Sequence, residues 1–443
     1  MPYDNWHWSR PPQPALDCPH NAPDECQERH PEAPVCRQHK GKFQSKAHGQ
    51  GKRWQARWRD PDGTQQTELF TRETDAKTHE NKMRSEVDDG SYINPKAGEV
   101  RVAEVVTQWL EGQTFDNPRT YARYEQRVRL HIVPTPLGKM RLKDVSATSL
   151  RNWLQGRREL LEDSSLRLVF TNLSSAFDLA VDDELIRKNP CLLKSVQQVK
   201  PKRGSTSPKE LAITWADSEK LRMELPDRYQ ALVDVGRGLG MRQGEAFAFG
   251  PDDIDWDHED GPMVHIQQQV AHDGYVLVLD NPKGGTEDDP RDRWVELGED
   301  VAQALREHTR QFPPIEVTLP HRTRDGAPVT KRIFFYGREK KPIAANWFNS
   351  HVWKPALAAV GLIKPLDPEK PGRRWEKSRD KGMHALRHLF ASMALANGVD
   401  IYTLADRLGH ADPAFTLRKY VHRVAGAGAK VRQAVRSMYG KAA

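Results

Sequence analysis

Cysteine is scarce in this chain. Its 443 residues hold 4, of which Cys18, Cys26 and Cys36 crowd before residue 40 and Cys191 stands alone. A disulfide framework is excluded for a chain of this size. Long apolar runs are missing as well: no stretch approaches the ~20 residues that cross a bilayer as a helix, and mean hydropathy is −0.78. The opening MPYDNWHWSRPP lacks the apolar core of a secretion signal. No glycine-rich phosphate loop, paired-carboxylate pattern or internal repeat stands out. A soluble, intracellular chain with no membrane partner is the expectation. Acidic residues are outnumbered: 61 Asp and Glu against 68 Lys and Arg leave a net charge of +7, with a pI near 9.1. The excess points to an acidic partner, nucleic acid before a membrane surface. Length alone gives a prior of about three domains.

What is present changes texture along the chain. Residues 1–40 are rich in Pro, His and Cys with little apolar periodicity, which reads as a flexible N-terminal extension. Cys18, Cys26, Cys36 and His39 are candidate zinc ligands by chemistry. Their spacings are wider than the usual paired-cysteine pattern, and His20 and His30 compete for the fourth position. Over residues 41–97, GKRWQARWRDPDGTQQTELF reads as two strands around an Asp-Gly turn, followed by a helix that Thr74 would cap. Lys52, Arg53, Arg57 and Arg59 decorate these strands and suit a DNA groove, while a charged sheet edge is the plainer alternative. Residues 98–197 carry four segments with apolar residues at helical spacing. Asn117–Pro118 is a helix-start signal, and Ser146 or Thr148 begins the third of these helices. Arg119, Arg123 and Arg127 on the second are candidate phosphate contacts. Residues 198–212 form a basic linker, and 213–443 read as a mixed, mainly helical domain with short strands, including hairpins around NPKGG and RTRDG.

Polar residues appear in this last domain where apolar pattern does not require them. In GLGMRQGEA, Arg242 sits at a glycine-flanked turn with Glu245 one turn later to orient it. In MHALRHLFASMALANG, a spacing of three and four brings His384, Arg387 and His388 together on one helix. In RLGHADPAFTLRKY, His410 follows a glycine able to end a helix, and Tyr420 sits among cations. A core tyrosine has no need of such company; a tyrosine that attacks an anion does.

The ordered set GLGMRQGE, HALRH, LGH and RKYVH resembles the tyrosine recombinase (phage integrase) family, strongly over the C-terminal half. The resemblance implies a multidomain α+β fold. Its parts would be a small arm-type DNA-binding domain of three strands plus a helix (41–97), a helical core-site-binding domain (98–197), and a mainly helical catalytic domain with a small antiparallel sheet (213–443). It also implies a site-specific DNA recombinase that cleaves and rejoins strands through a 3′-phosphotyrosine. Tyr420 would attack phosphorus, Arg242 and Arg387 would clamp the nonbridging oxygens, His384 would act as base and His410 as hydrogen-bond donor. Lys283 would protonate the departing 5′-oxygen, with Arg291 and Arg293 close by in sequence, while Glu245 and His388 would orient their neighbours. Tyr402 and Tyr439 are rival nucleophiles, the first on an apolar helical face and the second in a terminal tail. No cofactor and no metal are called for, because the protein–DNA link conserves the bond energy. The implied partners are double-stranded DNA attachment sites, a homotetramer on DNA and an accessory directionality factor, in the cytoplasm with the nucleoid. A non-catalytic DNA-binding protein of the same fold and a type IB topoisomerase remain the alternatives.

Overall fold

The structure is a computed structural model that describes residues 2–8, 42–94, 96–115, 118–202, 211–284, 289–367, 374–376 and 378–420. The chain divides into two units, residues 1–114 with 122–203, and 115–121 with 204–443.

The first unit begins with strands where the sequence suggested an unstructured extension. Strands β1 (Tyr3–Asp4) and β2 (His7–Trp8) precede β3 (Phe43–Gln44), β4 (Trp54–Arg59) and β5 (Gln65–Phe70). β4 and β5 pair antiparallel around the Asp-Gly turn, and β1 adds to the far edge of β4, giving the order β1-β4-β5. An ionic knot holds that edge. Asp4 accepts hydrogen bonds from Arg53 at 2.9 Å and Lys42 at 3.1 Å. Burial alone would raise the Asp4 carboxyl, but Arg53, Lys42 and His7 hold it far below the ordinary range. Along β4 the period of two turns Ala56 and Trp58 inward onto Ala76, Met83 and Tyr92. The Trp58 indole donates to the Tyr92 hydroxyl at 3.0 Å, which satisfies two buried polar groups. Helix α1 (Glu73–Asp88) covers this face. Thr74 is not its cap: the N-cap is Arg72, whose side chain makes no capping bond, and Glu73 and Asp75 place acid in the first turn.

Helices α2 (Val102–Glu111), α3 (Pro118–His131), α4 (Ala147–Arg158) and α5 (Asp163–Asp182) follow. Ser146 caps α4 through a reciprocal bond with Ser149, the start signal read from sequence. A separate core of Val105, Val106, Ile132, Leu150, Leu154, Leu173 and Phe177 joins the helices, and Cys191 is buried in it. Burial pushes the Cys191 thiol upward, so it packs as a small hydrophobe. Within this unit Arg187 pairs with Glu86 of α1.

The second unit opens with α6 (Trp215–Glu224), capped by a Thr214–Asp217 box. Helix α7 (Asp227–Gly238) runs into α8 (Gln243–Ala248) through Gly240, whose φ of 61° has no room for a side chain beside the Phe390 ring. The stretch PMVHIQQQV is divided between two strands. β7 (Met263–Ile266) pairs with β6 (Ile254–Asp255) and β10 (Arg293–Glu296), whereas β8 (Gln269–Asp273) pairs with β9 (Val276–Asp280). A hairpin of β11 (Ile315–Pro320) and β12 (Pro328–Ile333) flanks this sheet region. Helix α9 (Glu299–Gln311) packs on α7, and α7 also packs on α10 (His384–Ala396). α11 (Ile401–Arg407) and α12 (Pro413–Tyr420) complete the described part. Residues 203–210 of the expected linker lie outside it.

No helix among the described residues is long and apolar enough to cross a membrane. Gly250 is a packing constraint of this unit: a Cβ there would overlap the Arg332 carbonyl oxygen, a backbone atom that cannot rotate away. Gly250→Ala should therefore destabilise the second unit by about 1–3 kcal/mol, read as a lower urea midpoint at unchanged m-value.

Candidate active site

Four elements converge on one charged centre. Arg242 is the N-cap of α8, and the first turn of that helix carries Glu245. Glu245 accepts from the Arg242 guanidinium at 2.7 Å and from the Arg242 backbone N–H at 2.8 Å, so one carboxylate fixes both ends of that arginine. The other side of Glu245 is met by Arg293 of β10, whose Nη2 lies 2.6 Å from Oε2. Burial would raise the Glu245 carboxyl; the charge and hydrogen bond of Arg293, then Arg242 and Arg387, bring it down to about 2. It is an anion at every working pH.

Arg387 rises from α10 into the same centre and is 1% exposed. It donates to the Gly240 carbonyl at 2.9 Å and to the Leu408 carbonyl, and so ties the α7–α8 turn to the end of α11. Burial and the neighbouring Arg242 pull it down to about 9, which leaves it a cation at neutral pH. Gly409, at φ 60°, ends α11 and turns the chain so that His410 faces Arg387, with Nε2 at 3.2 Å from Nη2. A guanidinium has no acceptor, so Nε2 accepts here and Nδ1–H donates to Thr416 at 2.6 Å. His410 is held neutral, its value lowered to about 3 by burial first and then by Arg387 and Arg242.

Tyr420, at the end of α12, is buried against Ala391, Leu404 and Leu408. The imidazole that meets its hydroxyl is His388, with Nδ1 at 2.6 Å. The resemblance implied His384 as the base for the phenol, whereas here that ring stands edge-on to His388, with centroids 4.6 Å apart. His384 and His388 share one face of α10 a turn apart, and the level at which α12 meets that face selects His388. His384 keeps an exposed edge, so solvent moderates the lowering to about 4 that burial, Arg387 and Lys419 impose. Lys283 lies exposed on the turn after β9, close enough for its charge to act on His384. Arg293, read from sequence only as a neighbour of Lys283, is 5% exposed and committed to Glu245. A strand in which an arginine shares the inward parity of Val295 was the signal available for it. Thr416 was not anticipated. Tyr402 is exposed on α11, and Tyr439 lies outside the described residues.

Of the cations assigned to DNA, Lys52, Arg59 and Arg123 are exposed. Arg53 is engaged by Asp4, and Arg57 lies over the Tyr3 ring at 3.8 Å with a hydrogen bond to Gln55. Arg127 covers Tyr124 at 5.3 Å, and Arg119 pairs with Asp280. No group of His, Cys, Asp or Glu among the described residues could hold a metal ion, and Cys18, Cys26, Cys36 and His39 lie outside them.

Two guanidiniums, the neutral imidazoles of His384 and His410, a phenol held by His388 and the charge of Lys283 form a centre suited to an anion that gains charge as a nucleophile adds, which is the demand of phosphoryl transfer. Residues 216–426 match the family model described as the phage integrase family. A tyrosine recombinase XerC-like protein of Caldanaerobacter subterraneus subsp. tengcongensis is 22% identical over 342 residues, spanning 74% of this chain and 81% of its own. An integrase of Streptomyces ambofaciens is 25% identical over 378 residues, 82% and 87% of the two chains. Among solved structures, the Tn1549 transposon integrase in complex with transposon right-end DNA shares the fold, with a TM-score of 0.57 at 18% identity, over 77% of this chain and all of that one. Over residues 216–426 the chain is thus similar to the tyrosine recombinase (phage integrase) family.

The depressed imidazoles make a stability prediction. The folded values lie below the ordinary 6.5, so unfolded chains bind more protons once the pH drops below that value. These histidines add no penalty above about pH 7, and stability is lost as the pH falls from 6.5 toward 4. Thermal unfolding of the DNA-free chain should show a falling midpoint over this window, with a shallower slope in His410→Gln.

Proposed function

We propose that this site-specific recombinase cuts and rejoins DNA at two attachment sites through a 3′-phosphotyrosyl link on Tyr420. The observation that carries the reading is the shared centre of Arg242, Arg387, His410, His388 and Tyr420, tied by Glu245 and the Gly409 turn. The scissile phosphate takes its place between the two guanidiniums, whose paired N–H groups match its nonbridging oxygens as no lysine does. As Arg387 turns from His410 to the phosphate, the imidazole gives up its Nδ1 proton and takes one on Nε2, so that Nε2–H donates to the same oxygens and the Thr416 hydroxyl donates to Nδ1. The phenol, ordinarily near 10, loses its proton with the help of these cations. His388, already at hydrogen-bond distance, is the first acceptor, and His384 passes the proton on from its exposed edge. The Tyr420 oxygen bonds to phosphorus, the bond to the 5′-oxygen breaks, and Lys283 protonates that oxygen. Rejoining reverses the steps with a 5′-hydroxyl from another strand.

The two units divide recognition from chemistry. The sheet of residues 42–70 with α1 reads arm-type sites through exposed Lys52 and Arg59, and the helices of residues 98–197 grip core sites through Arg123 and its neighbours. Two separate modules suit two kinds of site. The solved relatives include a DNA complex, and a homotetramer on DNA with an accessory directionality factor follows for an exchange of strands between two duplexes. A binder that only represses would have no use for a phenol held among arginines.

A nicked suicide substrate tests the reading. The wild-type chain should trap a covalent DNA adduct, and Tyr420→Phe should trap none while binding the same DNA. Arg387→Ala should retain binding and lose adduct formation by about 100- to 1,000-fold. An adduct that persists in Tyr420→Phe would move the nucleophile elsewhere and sink the assignment.

A further inference from the structure

We propose that Arg293 is a positioning residue for strand cleavage: it locks Glu245 and the turn carrying His410 into one unit, so that Arg242 and His410 meet the phosphate in register. The inference rests on the recombinase reading above and deepens it. Arg293 opens β10 on the inward side, and its side chain is 3% exposed, so it does not itself reach DNA. Each of its three guanidinium nitrogens donates a hydrogen bond. Nη2 donates to Glu245 Oε2 at 2.6 Å, Nη1 to Oε1 at 3.2 Å, and Nε to the Arg407 carbonyl at 2.8 Å.

Those three bonds connect the parts of the site that lie far apart in sequence. Glu245 is the carboxylate that aims Arg242 from α8. The Arg407 carbonyl closes α11 two residues before Gly409. A Cβ on Gly409 would come within 3.1 Å of the Arg293 stem, so the turn lies directly on this side chain. Three residues further along β10, Glu296 holds the Arg407 guanidinium at 2.9 Å, a second tie between the same strand and the same helix end. His410 follows immediately. Without Arg293, Glu245 would face Arg242 and Arg387 alone. Arg242 could then swing to satisfy both carboxylate oxygens, away from the phosphate, and the turn would lose its anchor. A misplacement of about 1 Å in such a centre can cost about 100-fold in rate.

A buried ion pair that serves only stability would predict something different, and the two are separable. The measurements are single-turnover adduct formation on a nicked duplex at saturating protein, the Kd for the same duplex, and the dependence of the rate on pH. For Arg293→Met we expect a Kd within about 3-fold of wild type and a rate lowered by up to about 100-fold. An acid limb should appear in the rate, because the Glu245 carboxyl, facing only Arg242 and Arg387, now titrates closer to the working range. Glu245→Gln should lack that limb. The double variant Arg293→Met with Glu245→Gln should be no slower than Glu245→Gln alone, and Arg293→Lys should recover part of the rate. A wild-type rate in Arg293→Met overturns the proposal, as does a lowered rate with the wild-type pH profile or losses that multiply in the double variant. Should Arg293→Met fail to fold, Arg293→Lys alone and with Glu245→Gln gives the same comparison. A wild-type chain that forms no adduct counts against the recombinase reading itself; a wild-type adduct with an unaffected Arg293 variant counts against Arg293 only.

Discussion

Charge compensation around one buried carboxylate organises the second unit. Glu245 is enclosed by Arg242 and Arg293, with Arg387 behind. Three guanidiniums in one interior region would repel each other at a cost that packing alone could not offset. A single anion among them lets them coexist, and it leaves an excess of positive charge in the centre. That excess is the property the chemistry uses. The site is held under electrostatic tension that an arriving phosphate relieves, so binding and activation draw on the same interaction.

The same excess explains the imidazoles. His410 and His384 are pushed toward the neutral form, first by burial and then by the arginines. A neutral imidazole can accept a proton or donate one hydrogen bond, whereas an imidazolium can do neither the first nor remain cheaply beside two guanidiniums. One field sets the protonation of both imidazoles together. Backbone carbonyls do the mechanical part: those of Gly240 and Leu408 accept from Arg387, so the loop before α8 and the end of α11 share one side chain.

Much of this was legible along the chain. The Ser146 cap, the Asp-Gly hairpins and the glycine that ends α11 are local signals, and local hydrogen bonding makes them reliable. The motif set around Arg242, Arg387, His410 and Tyr420 was also visible, because polar residues at positions that periodicity leaves apolar carry information in themselves. The N-terminal strands were hidden: two-residue strands have no periodicity, and β1 exists through its pairing with β4 and the Asp4–Arg53 contact across 49 residues. The division of PMVHIQQQV between two sheets was hidden for a similar reason, since strand partners are distant in sequence.

The sequence by itself determined which side chains could serve an anionic substrate, where most helices begin, and that the chain carries more cation than anion. Only the tertiary structure decided which of two histidines four residues apart meets the phenol, because that depends on how α12 crosses α10. It also decided that Arg293 turns inward to Glu245 and away from DNA. A side chain's type is written locally, whereas its partner is fixed by the packing of segments that the linear order keeps apart.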